Sequence, residues 1–214
     1  MALIEKKRGN YLSIIDGTLR RQVPEGTEKA IKREYERSDK TKGEKWELEY
    51  RSLVGKIVAI DFHDSDFGKQ VAVEVMDEGK KYTLQMPYKS RYALDFMKKV
   101  PNIKLADPVE LSPYDFEDDN GKTRKGISIK QGEVKIGNYF FNEKDKRENL
   151  HDFPQAPKDY QDMDSDDWAV HFTNVAKFLM EHIQKEQKYA REDEPTSDKV
   201  EYPTDEINPE DIPF

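Results

Sequence analysis

The chain contains no cysteine. That absence excludes a disulfide scaffold, a thiolate zinc site and a cysteine nucleophile. Apolar residues are also scarce, at 35% of 214 positions, while charged residues make up 37% and mean hydropathy is −0.99. No run approaches the roughly 18 uninterrupted apolar residues that a membrane helix needs. The opening Met-Ala-Leu-Ile-Glu-Lys-Lys-Arg puts its charges after a very short apolar start, the reverse of a secretory signal. These features lead us to expect a protein of the cytoplasm with no membrane partner. Neither G-x-x-x-x-G-K-[ST] nor G-x-G-x-x-G occurs, so no glycine-rich phosphate loop is present. An overall excess of basic charge is missing too. The formal net charge is −8, which at first sight argues against a nucleic-acid partner.

The position of the charge reverses that inference. Residues 191–214 hold nine acids and two bases, or −7, and residues 151–190 hold eight acids and four bases, or −4. Residues 1–150 are left with 30 bases against 27 acids, or +3. A mildly basic body is followed by an acidic tail, which also carries Pro195, Pro203, Pro209 and Pro213. Such a segment buries too little apolar surface to offset its chain entropy, so disorder is expected over 191–214. Its last residues, Glu210-Asp211-Ile212-Pro213-Phe214, set a bulky apolar pair at the very tip, for which a solubilising tail has no use.

Within the body, residues 11–23 read as a strand bent at Gly17, and the highly charged 24–44 as a loop or hairpin insertion. Trp46, Leu48 and Tyr50 alternate with charged residues at the period of a half-buried strand, and Ile57–His63, Val71–Val75 and Lys80–Met86 continue the pattern. Tyr88–Val100 has helical spacing and ends at Pro101. Val109–Phe116, Gly126–Lys130 and Glu133–Phe141 are further strands, separated by Asp-Asn-Gly and Gln-Gly turns. Three strands, a helix and two more strands is the order of the OB-fold, a five-stranded Greek-key barrel. Another small barrel or a sandwich suits the short strands as well. The expected class is therefore mainly β, an OB-type barrel with one helix between strands. A connector over 151–164 leads to an added helix over about 166–189, with Trp168, Phe172, Val175, Leu179 and Ile183 in one docking stripe. The domains expected are a 1–150 barrel, a 151–190 connector and helix, and a 191–214 tail.

Catalytic signatures are sparse, and no cofactor is expected. Asp61, His63, Asp64 and Asp66 are the densest ligand set and would suit a metal-dependent nuclease, but a polar strand-end turn accounts for them more simply. The body instead interleaves aromatic and basic residues, the pairing that stacks bases while cations follow the phosphates of a single strand. The stacking candidates are Trp46, Tyr50, Phe62, Tyr82 and Tyr88. The phosphate-contact candidates are Arg20, Arg21, Lys56, Lys69, Lys80, Lys81 and Arg124.

An acidic tail ending in Asp211-Ile212-Pro213-Phe214 resembles the C-terminal tip of bacterial single-stranded DNA-binding proteins, which also place an OB-fold before it. The divergent body looks more like a phage-encoded counterpart, which would act in the bacterial host's cytoplasm. The resemblance implies a non-enzymatic protein that binds and protects single-stranded DNA in replication, recombination or repair. It also implies that Asp211, Ile212, Pro213 and Phe214 recruit partner proteins, with Phe214 entering an apolar pocket and its carboxylate meeting a basic residue. The family's long Gly/Gln-rich linker is missing, and the 24–44 insertion and the 166–189 helix are additions. These departures favour a monomer or dimer over the family's tetramer. The alternatives are the nuclease above and a protein-only adaptor.

Overall fold

Val71, Val73 and Val75 recur at period two, and their β-branched side chains suit the buried face of a pleated sheet. They sit at the centre of a ten-stranded sheet in the computed structural model, which describes residues 9–36, 40–141, 150–157 and 160–192. The strands are β1 Asn10–Ile15, β2 Thr18–Val23, β3 Ile31–Glu36, β4 Lys42–Tyr50 and β5 Leu53–Ser65. They continue as β6 Gly68–Asp77, β7 Lys80–Pro87, β8 Val109–Glu117, β9 Thr123–Gln131 and β10 Val134–Lys135. Helix α1, Arg91–Met97, falls between β7 and β8, and α2, Ser165–Glu192, follows the strands. The fold is mainly β, in the order β10-β9-β8-β5-β6-β7-β1-β2-β4-β3. Among the described residues β10 and β3 are free ends, so the sheet is not closed.

The centre is the meander β5-β6-β7, followed by α1 and then by β8, which returns to the start of β5. The expected order of three strands, a helix and two strands is present here. Strand β5 serves two neighbours by bending. Leu53–Gly55 pair with β8, and Lys56 onward pair with β6 across a bulge between Ile57 and Ala59. Gly55 has φ 152°, and a Cβ there would lie 2.5 Å from the Met76 carbonyl oxygen, so only glycine fits the bend.

Residues 11–23 are not one bent strand but a hairpin. Asp16 and Gly17 both take positive φ (49° and 72°), the two-residue turn whose twist matches its strands. The turn packs on β8 beside Tyr114 and Asp115, and Gly17 N–H donates to the hydroxyl of Tyr92 on α1 at 2.9 Å. The 24–44 insertion forms β3 and the start of β4, a ribbon beyond the central sheet. Strand β1 lies parallel to β7, which joins this ribbon to the meander. The expected strand over 133–141 shrinks to Val134–Lys135, with Ile136 and Phe140 entering the core instead.

Ser90 caps α1 through its side chain, accepting from Ala93 N–H, so the helix starts later than its apolar spacing suggested. Ala93, Leu94, Phe96 and Met97 are buried. Helix α2 packs against α1, and its Phe178 and His182 meet Phe140 and Phe153 in an aromatic cluster. Val175, Leu179 and Ile183 are buried as expected, but Phe172 is 46% exposed and Trp168 half-buried. Those two stack on each other at 5.6 Å, because the core ends before the first turns of α2. No described helix is long and apolar enough to cross a membrane. Of the tail expected to be disordered over 191–214, Arg191 and Glu192 end α2, and the rest, with Asp211, Ile212, Pro213 and Phe214, lies outside the described residues.

Candidate nucleic-acid interface

Paired residues share a face of a sheet, so the register sorts the candidate residues. The face toward the core carries Ile57, Val75, Tyr82 and Asn10 on one rung and Ile60, Val73, Leu84 and Leu12 on the next. The opposite face is turned to solvent. Its first rung is Lys56, Met76 and Lys81. The second is Ala59, Glu74, Thr83 and Tyr11. The third runs Asp61, Ala72, Gln85, Ser13, Arg20 and Glu49.

Three phosphate-contact candidates, Lys56, Lys81 and Arg20, therefore share one solvent face across β5, β7 and β2. Tyr11 stands among them, 55% exposed, beside the uncharged Ser13, Thr83 and Gln85. Alternation points to Tyr11 in retrospect: Leu12 and Ile14 take the core side, which turns Tyr11 and Ser13 outward. Lys81 donates to Glu74 at 2.8 Å, and that hydrogen bond holds its ammonium above the usual lysine range. Arg20 is held by Glu49 at 3.0 Å. Lys56 makes no ion pair with another described residue.

The stacking candidates do not lie on this face. Tyr88 is 8% exposed, and Phe62 meets it edge-on at 6.2 Å, so both rings belong to core packing. Trp46, Tyr50 and Tyr82 lie on the core-side face, away from Arg20 and Lys81. Tyr50 and Tyr82 line an open groove of about 260 Å³ with Leu12, Leu19, Leu53 and Asp77. Arg21 stands over the Tyr50 ring at 5.7 Å and donates to Asn10 Oδ1 at 3.3 Å. Trp46, partly buried, pairs with Val23 farther along the same face.

The remaining cations are scattered. Lys69 lies 5.8 Å from the Tyr88 ring, and Lys80 pairs with Asp77 at the β6–β7 turn. Arg124 is bound to Asp118 at 2.7 Å. Asp118 organises the β8–β9 turn: Asn120 and Lys122 N–H groups donate to its Oδ1, and chiefly the Lys122 bond holds the carboxyl below its usual range. Near these turns two aromatics are open to solvent, Phe67 at 93% on the β5–β6 tip and Phe116 at 55% on β8.

Asp61 and His63 fall on the solvent face, whereas Asp64 pairs with Lys69 and Asp66 lies in the hairpin turn. Among the described residues no group of three or more His, Asp or Glu is placed to hold a metal ion.

No known protein settles what this arrangement does. No family model, curated protein or solved structure matches the chain. The functional reading rests on the geometry and the sequence alone.

Proposed function

We propose that this protein binds single-stranded DNA without regard to sequence, across the solvent face of β5-β6-β7-β1-β2, and that its acidic tip recruits partner proteins. The observation that carries the reading is the exposed Tyr11 ring flanked by Lys56, Lys81 and Arg20 on successive rungs of one face. An exposed ring offers any base a stacking partner, and cations on either side follow the phosphates. The surface between them carries the neutral Ser13, Thr83 and Gln85, together with Asp61, Glu74 tied to Lys81 and Glu49 tied to Arg20.

Topology supports the same reading. The meander, helix and return strand follow the element order expected of an OB-fold, in an open sheet, and on that reading its second and third strands are β6 and β7. OB-folds bind oligonucleotides on that face and through the loops that here carry Phe67 and the Asp118 turn. The chain would act without catalysis, protecting single strands during replication, recombination or repair. Phe214 supplies apolar burial for a partner, and Pro213 limits the entropy lost on docking.

A second path is favoured by one feature, the Tyr50–Tyr82 groove with Arg21 over Tyr50. A base could enter there between the two rings. Titrating labelled oligo-dT into Tyr11→Ala and Tyr50→Ala variants separates the paths, because only the ring that stacks weakens binding on removal.

A further inference from the structure

The ribbon β2-β4-β3 gathers more cations than acids around one buried carboxylate. Glu47 lies mid-strand on β4 with its side chain 4% exposed, and three cations from three strands converge on it. Lys45 Nζ reaches it at 2.5 Å, Arg33 Nη1 at 3.6 Å and Arg20 Nη1 at 3.8 Å. A buried carboxylate needs a partner, and Lys45 alone supplies one within hydrogen-bond distance. The two arginines stand farther off. Arg20 Nε and Arg33 Nη1 are buried without a hydrogen-bond acceptor, and Glu47 Oε2 is without a donor. Collecting three cations around one carboxylate, with Glu49 as the second acid paired to them among the described residues, costs mutual repulsion that an extra anion would relieve.

The register shows where that anion would lie. Arg33 pairs with Lys45, and Ile31 pairs with Glu47, so Arg33, Lys45 and Glu47 share one face. Glu47 pairs with Gln22, two residues along β2 from Arg20, which places the group on the solvent face that also holds Tyr11. Arg33 and Lys45 stay 35% and 25% exposed, so part of each side chain is reachable from outside. Tyr35 lies on the same face, with Lys45 Nζ 5.8 Å from its ring centre. From β7 to β3 is four strand intervals, about 19 Å at the usual spacing.

We propose that Arg20, Arg33 and Lys45 form a phosphate-binding site for a nucleic-acid backbone, and that Glu47 is the positioning residue that gathers them. The site continues the Tyr11 face onto the ribbon. It rests on the reading of this face as a single-strand track. Planar guanidinium groups with open donors suit phosphate oxygens, which accept them in pairs.

The test is the salt dependence of oligo-dT affinity in the full chain. The variant is Arg33→Met with Lys45→Met and Glu47→Gln, which removes two cations and leaves no unpaired buried acid. For single strands each phosphate contact contributes about 0.7 to the slope of log K against log salt, so the slope should fall by about 1.4. At about 50 mM salt the same relation, taken from equal affinity at about 1 M, gives an affinity loss of roughly 65-fold. Arg33→Gln keeps Lys45 on Glu47, guards against misfolding of the triple variant, and should lower the slope by about 0.7. Wild type that binds, with variants that are folded by circular dichroism and keep its slope, overturns this site and leaves the single-strand reading intact. Wild type that does not bind oligo-dT overturns both.

Discussion

Replacing Tyr11 by alanine should weaken binding to oligo-dT far more than it weakens the fold. The ring is 55% exposed and stands on the solvent face next to Thr83. Exposed substitutions away from caps and buried networks usually change stability by less than about 0.5 kcal/mol. Base–aromatic stacking is worth about 1–3 kcal/mol per base. At about 1.4 kcal/mol per tenfold, the dissociation constant should rise between roughly 5-fold and 140-fold. Anisotropy of a labelled oligo-dT at about 50 mM salt measures it, with thermal unfolding as the control for structure. Tyr11→Phe keeps the stacking surface and should bind like wild type. An unchanged affinity in Tyr11→Ala, together with a loss in Tyr50→Ala, would refute the placement and move the strand into the groove.

Three further outcomes follow from the same architecture. Deleting 193–214 should leave oligo-dT affinity equal or higher and abolish capture of partner proteins; a large drop in affinity would place the tail in the DNA site. Leu84→Ala empties a position that is 0% exposed at the centre of the sheet, and urea unfolding should show a loss of about 2–5 kcal/mol. Asp118 has a folded-state carboxyl pulled below its ordinary value by Lys122 N–H, so its contribution is present above the ordinary carboxylate range and lost as pH falls through the depressed value. The difference in melting temperature between wild type and Asp118→Asn should therefore shrink on acidification, and a constant difference from neutral pH to about pH 2 would contradict the assignment.

Much of the meander was legible because one face of each strand is buried. The alternation at Ile57–His63, Val71–Val75 and Lys80–Met86 reports that burial directly, and those strands are present with longer ends. The ribbon was harder to read. Residues 24–44 have few large aliphatics, and β3 and β4 are joined instead by backbone pairing and cross-strand charges such as Lys32 with Glu44 at 2.7 Å. Apolar periodicity does not detect such pairs. The β1–β2 turn was written in Asp16-Gly17, a common hairpin dipeptide, but the apolar residues on both sides read as one strand.

The candidate site was legible as a composition more than as an arrangement. Trp46 and Tyr50 do lie on one face of β4, but period two does not say whether that face looks to solvent or to the core side. Tyr88 precedes a helix and turns inward, and Tyr11 turns outward because Leu12 and Ile14 fill the core. Arg20, Lys56 and Lys81 come together only through the order β5-β6-β7-β1-β2, in which the parallel pairing of β1 with β7 is a long-range event. Glu47 was unmarked in the sequence, because its burial depends on three cations from three different strands.

The most direct test of the central claim is a titration of the full-length protein with oligo-dT and with a mixed-sequence single strand, at about 50 mM salt and at rising salt. The account predicts binding to both at similar affinity, with log K falling linearly as log salt rises. An absence of binding at about 50 mM salt, where phosphate contacts are strong, would contradict it.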